Sequence, residues 1–584
     1  MKTVKKILLW LFAVVGFITA LLVTLGILAA YWGYEADYAH LPDRMILSFD
    51  VGEGLSGNEN HDPLARLFGK SDISLRQAIE TIRAAASDPG VQAIVMRVDN
   101  VNIGIAKTQE LRNAITFFRD SGKKTYAFAD TFGFEASGDN AYYLASAFDQ
   151  VWMQPSGDWG LFGISIEIPF LRGFLDKIGI KPIVKAREEY KNAFSFATNT
   201  EFGEAEKQAM QSMADSIHSQ RVNDIAENRD IGPDHLATLI DQSPMPAKQA
   251  LEQHLLDKVG YITDIRAHLK SEYGQKTEFV HIGDYAAFLE PQAQDPIVAV
   301  IYADGEIMRG DKDPKDQWRP DGGVYSSDIV RTLFDLSTDK NIKAVVLAIN
   351  SPGGSYLASD TIWNSVQNLK ATGKPVYAVM DNVAASGGYY IAMAADKIYA
   401  MPGTLTGSIG VIAGKISLAE AAEKLGIHFD KVQAGNNADL WSPARDFSPE
   451  AEKKLDEFLD RSYHDFVQKA ANARNMPFDK MRDAARGRVW TGEQALDLGL
   501  IDSTGGWEQL EADLRESLKL KDNQEIAFTV YPKPKSAYEE LMEKFNSYSS
   551  AVEAQMNVLA PISAIFNPSE QQGRIQSRMD WILR

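Results

Sequence analysis

Residues 389–402 read YYIAMAADKIYAMP, and residues 142–155 read YYLASAFDQVWMQP. The two segments align without a gap at an offset of 247 positions, which also carries Gly160 onto Gly407, Gly163 onto Gly410 and Gly179 onto Gly426. Self-similarity at a fixed offset means that one structural plan is used twice. Upstream, VQAIVMRVDN (91–100) answers IKAVVLAINS (342–351), and KTYAFAD (124–130) answers PVYAVMD (375–381). These short β-branched runs suit parallel strands buried on both faces. Helix-like stretches precede them, SLRQAIETIRAAASDPG in the first copy and SSDIVRTLFDLSTDKN in the second. Downstream, QALEQHLLDKVG (249–260) answers QALDLGLIDSTG (494–505). Strands alternating with helices predict two tandem α/β domains with right-handed crossovers. The first is expected over 46–290 and the second over 297–515, parted by the polar, proline-containing EPQAQDP at 290–296. Residues 516–584 show no partner in the first copy and are expected to form a helical C-terminal extension.

The chain has 584 residues, enough for several domains. Sixty basic against 79 acidic residues leave a net charge of −19, which argues against nucleic acid as a partner. Cysteine is absent, which excludes disulfides, thiol catalysis and Cys-ligated metals. From Ile7 to Tyr34 no residue is charged, and the apolar core of that run, 7–31, spans 25 residues. A bilayer core takes about 20, whereas a cleavable signal has an apolar region of only about 7–15. The run is therefore expected to be an uncleaved transmembrane signal anchor. Lys2, Lys5 and Lys6 precede it and Glu35, Asp37 and Asp43 follow, so residues 1–6 are expected in the cytoplasm and the two domains outside.

The copies differ where chemistry is expected. In the second, Ser351-Pro352-Gly353-Gly354 ends a strand, and Ala385-Ser386-Gly387-Gly388 joins the next strand to a helix. A serine at a helix start lies at its positive end, where free N–H groups can hold an oxyanion. Serine there is also a common N-cap. The tyrosines that follow recur in both copies and read as core. None of the nine histidines has a catalytic setting, and His464-Asp465 reads as a solvated helix face. The alternative base is a lysine kept neutral by burial, at a cost of about 4 kcal/mol near pH 7. At the same offset Ser386 falls on Asp139, and Lys191 falls on Ala438. One copy thus has the serine and the glycines, the other the lysine. Such complementary loss suits a Ser–Lys dyad divided between the domains, with Gly353, Gly354 and Gly387 as oxyanion donors. Ser137 and Ser408 are the rival serines. The acids Asp311, Asp313 and Asp316 lack the turn glycine of a calcium loop. This chemistry calls for no metal or cofactor.

SPGG (351–354), AASGGYY (384–390), TLTGSIGV (404–411) and GRVWTGEQALDLGLID (487–502) together resemble signal peptide peptidase A in its long, duplicated, membrane-anchored form, also called protease IV. The resemblance runs along nearly the whole chain. It implies a Clp-protease/crotonase-like fold, a bowl-shaped homotetramer on the outer face of a bacterial inner membrane, and cleavage of apolar leader peptides. The nucleophile of that family falls on Ser386, and its base on Lys191 in Tyr190-Lys191-Asn192-Ala193. Glu188 stands where that family usually has glycine. The alternatives are a crotonase-like acyl-CoA enzyme, against which the anchor argues, and a membrane scaffold without catalysis.

Overall fold

The computed structural model describes residues 41–53, 55–56, 73–99, 101–133, 138–289, 296–312, 323–521 and 524–533, with Gly16 and Leu21. Those two residues apart, the expected anchor at 7–31 lies outside the described residues, as do Ser137, Asp313, Asp316 and residues 534–584. Among the described residues no helix is long and apolar enough to cross a membrane. One compact unit holds both repeats.

In the first repeat the strands are β1 (Met45–Asp50), β2 (Val91–Arg97), β3 (Lys124–Ala129), β4 (Gln150–Met153), β5 (Lys181–Ala186), β6 (Lys258–Val259) and β7 (Glu278–His281). In the second they are β8 (Ile297–Asp304), β9 (Ile342–Ser351), β10 (Val376–Ala385), β11 (Lys397–Ala400), β12 (Leu405–Gly407), β13 (Ile412–Ser417), β14 (Val489–Thr491), β15 (Ser503–Thr504) and β16 (Ala527–Tyr531). The first sheet runs β6-β4-β3-β2-β1-β7, all parallel. In the second, β15-β11-β10-β9-β8-β16 repeats this order, and β12 and β14 extend the far end of β10.

Each sheet is apolar on both faces, as parallel sheets must be. Ile94 and Met96 of β2 enter one core, while Ala93 and Val95 face Tyr126, Phe128, Trp152 and Leu269 on the other side. In β9, Val345 and Leu347 alternate with Ala344 and Val346 in the same way. The helix Leu75–Ser87 starts where the Ser74 hydroxyl accepts from Gln77 N–H and the Gln77 side chain returns the bond, a capping box. Tyr142 and Tyr389 are fully buried and donate to equivalent carbonyls, Leu255 O at 2.8 Å and Leu500 O at 3.0 Å.

Two readings are corrected. Past residue 515 the chain forms β16, paired parallel with β8, where a helical extension was expected. Its counterpart is β7 on β1, so this part of the segment does have a partner in the first copy. A five-residue strand is too short to show a period in sequence. Asp465 is not simply solvated, for it accepts from Tyr356 at 2.7 Å, Tyr390 at 3.0 Å and Lys469 at 2.9 Å.

Candidate active site

The two repeats meet through a strand pair that crosses between them. β5 of the first lies antiparallel to β13 of the second, from Lys181↔Ser417 to Ala186↔Ile412. Gly414 permits this closeness, since a Cβ there would lie 2.2 Å from Ile183 O. The ladder continues with Arg187 N–H to Val411 O at 2.9 Å. The chain then turns at Glu188, which holds the left-handed φ of 60° where glycine would be unstrained. Tyr190 N–H bonds Arg486 O at 3.2 Å, and Lys191 enters the second repeat. Lys185 with Asp456 at 2.8 Å and Arg187 with Asp460 at 2.5 Å add ion pairs along the same seam.

Lys191 is 7% exposed. Its Nζ lies 3.0 Å from Ser386 Oγ, 2.9 Å from Ser408 Oγ and 2.8 Å from Ser408 O. Glycines of the second repeat make room for its stem. A Cβ on Gly487 would sit 2.7 Å from Lys191 Cβ, and one on Gly410 3.2 Å from Lys191 Cδ. Among the described residues Lys191 has no ion-pair partner. Burial alone therefore acts on the amine and lowers its pKa from 10.5 to about 7. A neutral amine has two protons and one lone pair. These match its three neighbours if it donates to Ser408 O and Ser408 Oγ and accepts from the Ser386 hydroxyl.

Ser386 follows β10 directly and precedes the helix Gly387–Ala392. It has φ 54° and ψ −114°, and its side chain makes no capping bond, so its hydroxyl is left for Lys191. A non-glycine residue in such a conformation is strained, a feature that gathers at functional sites. Its N–H is held by Gly407 O at 2.9 Å and its carbonyl accepts from Tyr390 N–H at 2.9 Å. The glycine turn lies against it, since a Cβ on Gly353 would meet Gly387 N at 2.7 Å and Ser386 Cβ at 2.8 Å. Gly353 N–H is taken by Ser351 Oγ at 3.1 Å. Gly354 and Gly387 N–H make no hydrogen bond to any described residue.

Ser386, Lys191, Gly353, Gly354 and Gly387 are thus gathered at one point. Ser408, read from sequence only as a rival nucleophile, sits on the far side of the lysine as its hydrogen-bond partner. The signal for it was Leu161 at the equivalent position of the first copy. Asp139, the counterpart of Ser386, accepts from Phe162 N–H at 3.0 Å within its own repeat. Asp311 pairs with Arg331 at 2.7 Å.

A hydroxyl on a strained turn, an amine whose pKa is lowered to about 7 and two N–H groups without a described partner are the parts needed for attack on a carbonyl carbon. The class defined by this site is a serine hydrolase. The sequence profile of Peptidase family S49 matches residues 117–276 and 368–521, one segment in each repeat. The "Serine protease SPPA, chloroplastic" of Arabidopsis thaliana is 30% identical over 522 residues, covering 88% of this chain and 75% of that one. The "Protease 4" of Salmonella typhi is 31% identical over 474 residues, covering 78% of this chain and 75% of its own. An Enterococcus faecium protein provisionally named signal peptide peptidase SppA is 38% identical over 190 residues, covering 32% of this chain and 55% of that one. A solved ClpP1 mutant of Listeria monocytogenes is similar at 19% identity and a TM-score of 0.24, over 36% of this chain and 92% of its own. The chain belongs to peptidase family S49 and is a serine peptidase.

Proposed function

We propose that this chain is a membrane-anchored endopeptidase with a Ser–Lys dyad, built from two Clp-protease/crotonase-like repeats. In this reading it degrades cleaved leader peptides and other apolar peptides at the outer face of a bacterial inner membrane. The observation that carries the dyad is the 3.0 Å approach of the buried Lys191 amine, whose pKa burial lowers to about 7, to Ser386 Oγ. Lys191 takes the hydroxyl proton as Ser386 Oγ attacks the peptide carbonyl. The N–H groups of Gly387 and Gly354 receive the oxyanion, and Gly353 shapes the turn. The lysine then gives its proton to the leaving amine. Water, deprotonated by the same amine, releases the acyl group from Ser386. No step uses a metal or cofactor. Ser408 orients the amine.

Leader peptides are supported by the name of the Enterococcus relative and by the motif resemblance. The anchor and its orientation rest on the charge pattern around residues 7–31. A homotetramer is supported by a vacancy in the repeat. The positions equivalent to β5 and β13 are 428–433 and 165–170, and neither forms a strand. Leu425, Ile427, Phe429 and Val432 lie exposed beside or within the first of these, and Phe162, Phe174 and Ile178 beside the second. A neighbouring copy could pair them as β5 pairs β13.

A fluorophosphonate probe should label Ser386, and Ser386→Ala should lose both labelling and cleavage of apolar peptides. Labelling at Ser408 or Ser137 would refute the assignment. A reporter fused after residue 45 should be active only outside the cytoplasm.

A further inference from the structure

Of the two peptide planes in the glycine turn, only one can present a free N–H to the reaction. We infer that Ser351 is a positioning residue for the peptidase, its hydroxyl fixing the turn so that Gly354 N–H meets the oxyanion beside Gly387 N–H. The inference rests on the proposed Ser386 nucleophile and goes beyond it in assigning what orients the second donor.

Ser351 is the last residue of β9 and is fully buried. Its Oγ accepts the N–H of Gly353 at 3.1 Å. That bond fixes the peptide plane between Pro352 and Gly353, which makes no other hydrogen bond among the described residues. The same hydroxyl also reaches the next plane, lying 3.5 Å from Gly353 O. Gly353 O accepts from Ile307 N–H at 2.8 Å, and Ile307 O accepts from Ser355 N–H at 2.8 Å. In a trans peptide the C=O and N–H point in opposite directions. With Gly353 O aimed at Ile307, Gly354 N–H points away from it. It points towards the nucleophile turn, for a Cβ on Gly387 would lie 3.2 Å from Gly354 N. The φ values of 109° at Gly353 and 149° at Gly354 make the arrangement open only to glycine at both positions. Ser351 also packs against the residue that follows the other donor, since a Cβ on Gly388 would lie 2.6 Å from Ser351 O. The first repeat has Asn100-Val101-Asn102-Ile103 in place of this tetrapeptide.

The test compares a substrate with a peptide boronate, whose adduct on a serine is tetrahedral and places an oxygen where the oxyanion forms. Removing an oxyanion donor outright costs about 100- to 1,000-fold in kcat, and loosening one should cost about tenfold. In Ser351→Ala kcat should fall about tenfold and boronate affinity by the same factor. KM should stay within about twofold, and the rise of activity around pH 7 should not move, because Lys191 is untouched. Ser351→Thr, which keeps the hydroxyl, should recover most of the loss if it melts like the wild type. Should it melt lower, the Ser351→Ala comparison decides alone. Equal boronate affinity in wild type and Ser351→Ala, or a loss shared by KM and the pH profile, would overturn the inference. If wild-type protein forms no boronate adduct on Ser386, the nucleophile reading fails first and this one falls with it.

Discussion

Replacing Lys191 by methionine should abolish peptidase activity and make the protein more stable at neutral pH. Burial lowers the amine from 10.5 to about 7 in the folded chain. The unfolded chain keeps the ordinary value, so between these two pH values it binds a proton that the folded chain has shed. The penalty is therefore fully present below pH 7, shrinks as pH rises, and is gone above about 10.5. At 1.36 kcal/mol per pKa unit its upper size is about 4–5 kcal/mol. Methionine carries no charge and nearly fills the space, but leaves Ser408 O unsatisfied, at about 1–3 kcal/mol. The variant should gain about 1–4 kcal/mol at pH 6, and the gain should vanish and reverse towards pH 10. Melting temperatures of both proteins from pH 6 to 10 test this. A variant that melts lower at pH 6, or a difference that ignores pH, would refute the argument that Lys191 is held neutral against its own hydration. Wild-type kcat/KM should rise about tenfold per pH unit below 7 and level off above it, since the proposed base is the neutral amine.

Gly487→Ala should reduce kcat at least about tenfold, because the new methyl would lie 2.7 Å from Lys191 Cβ and the φ of 75° disfavours alanine; steady-state kinetics at matched folding would show it. Asn382→Ala should destabilise by about 1 kcal/mol in urea unfolding. The Asn382 side chain caps the helix Ile105–Asp120 of the other repeat, accepting from Ala106 N–H at 3.1 Å and donating to Ile103 O at 2.7 Å. Glu110→Gln should flatten the loss of stability between about pH 4.5 and 8. Burial, reinforced by Asp381, raises the Glu110 carboxyl to about 8 against the opposing Trp507 N–H. Its proton is kept on folding, so the stability it contributes is full below about 4.5 and is lost as pH rises through 8. Melting curves from pH 5 to 9 would show a gap that widens with pH.

The sheet order was within reach of the sequence because each copy reports on the other. VQAIVMR and IKAVVLA are ambiguous singly, but at equivalent places they become the same central strand. The pairing of Ser386 with Lys191 was legible for the same reason, through what each copy lacks. What sequence hid depends on backbone rather than side-chain identity. β5 and β13 are six residues each and pair across repeats at a separation that no local period encodes. The capture of Gly353 N–H by Ser351 follows from one peptide plane. β16 was missed because a polar segment masks its short apolar alternation.

Dividing the site between two repeats meets two demands that conflict inside one. The lysine must be dry to lose its charge, yet it must enter a region crowded by the strained serine turn. A lysine on the serine's own sheet would have to reach the site across the strand ends. From the other repeat it arrives along a strand, β5, whose pairing with β13 seals the approach behind it. Gly410 and Gly487 then clear a slot of its width. The desolvation that activates the amine is thus a consequence of domain association. This links activity to the seam: any substitution that parts β5 from β13 should raise the Lys191 pKa and shift the rise of activity towards higher pH before the fold itself is lost.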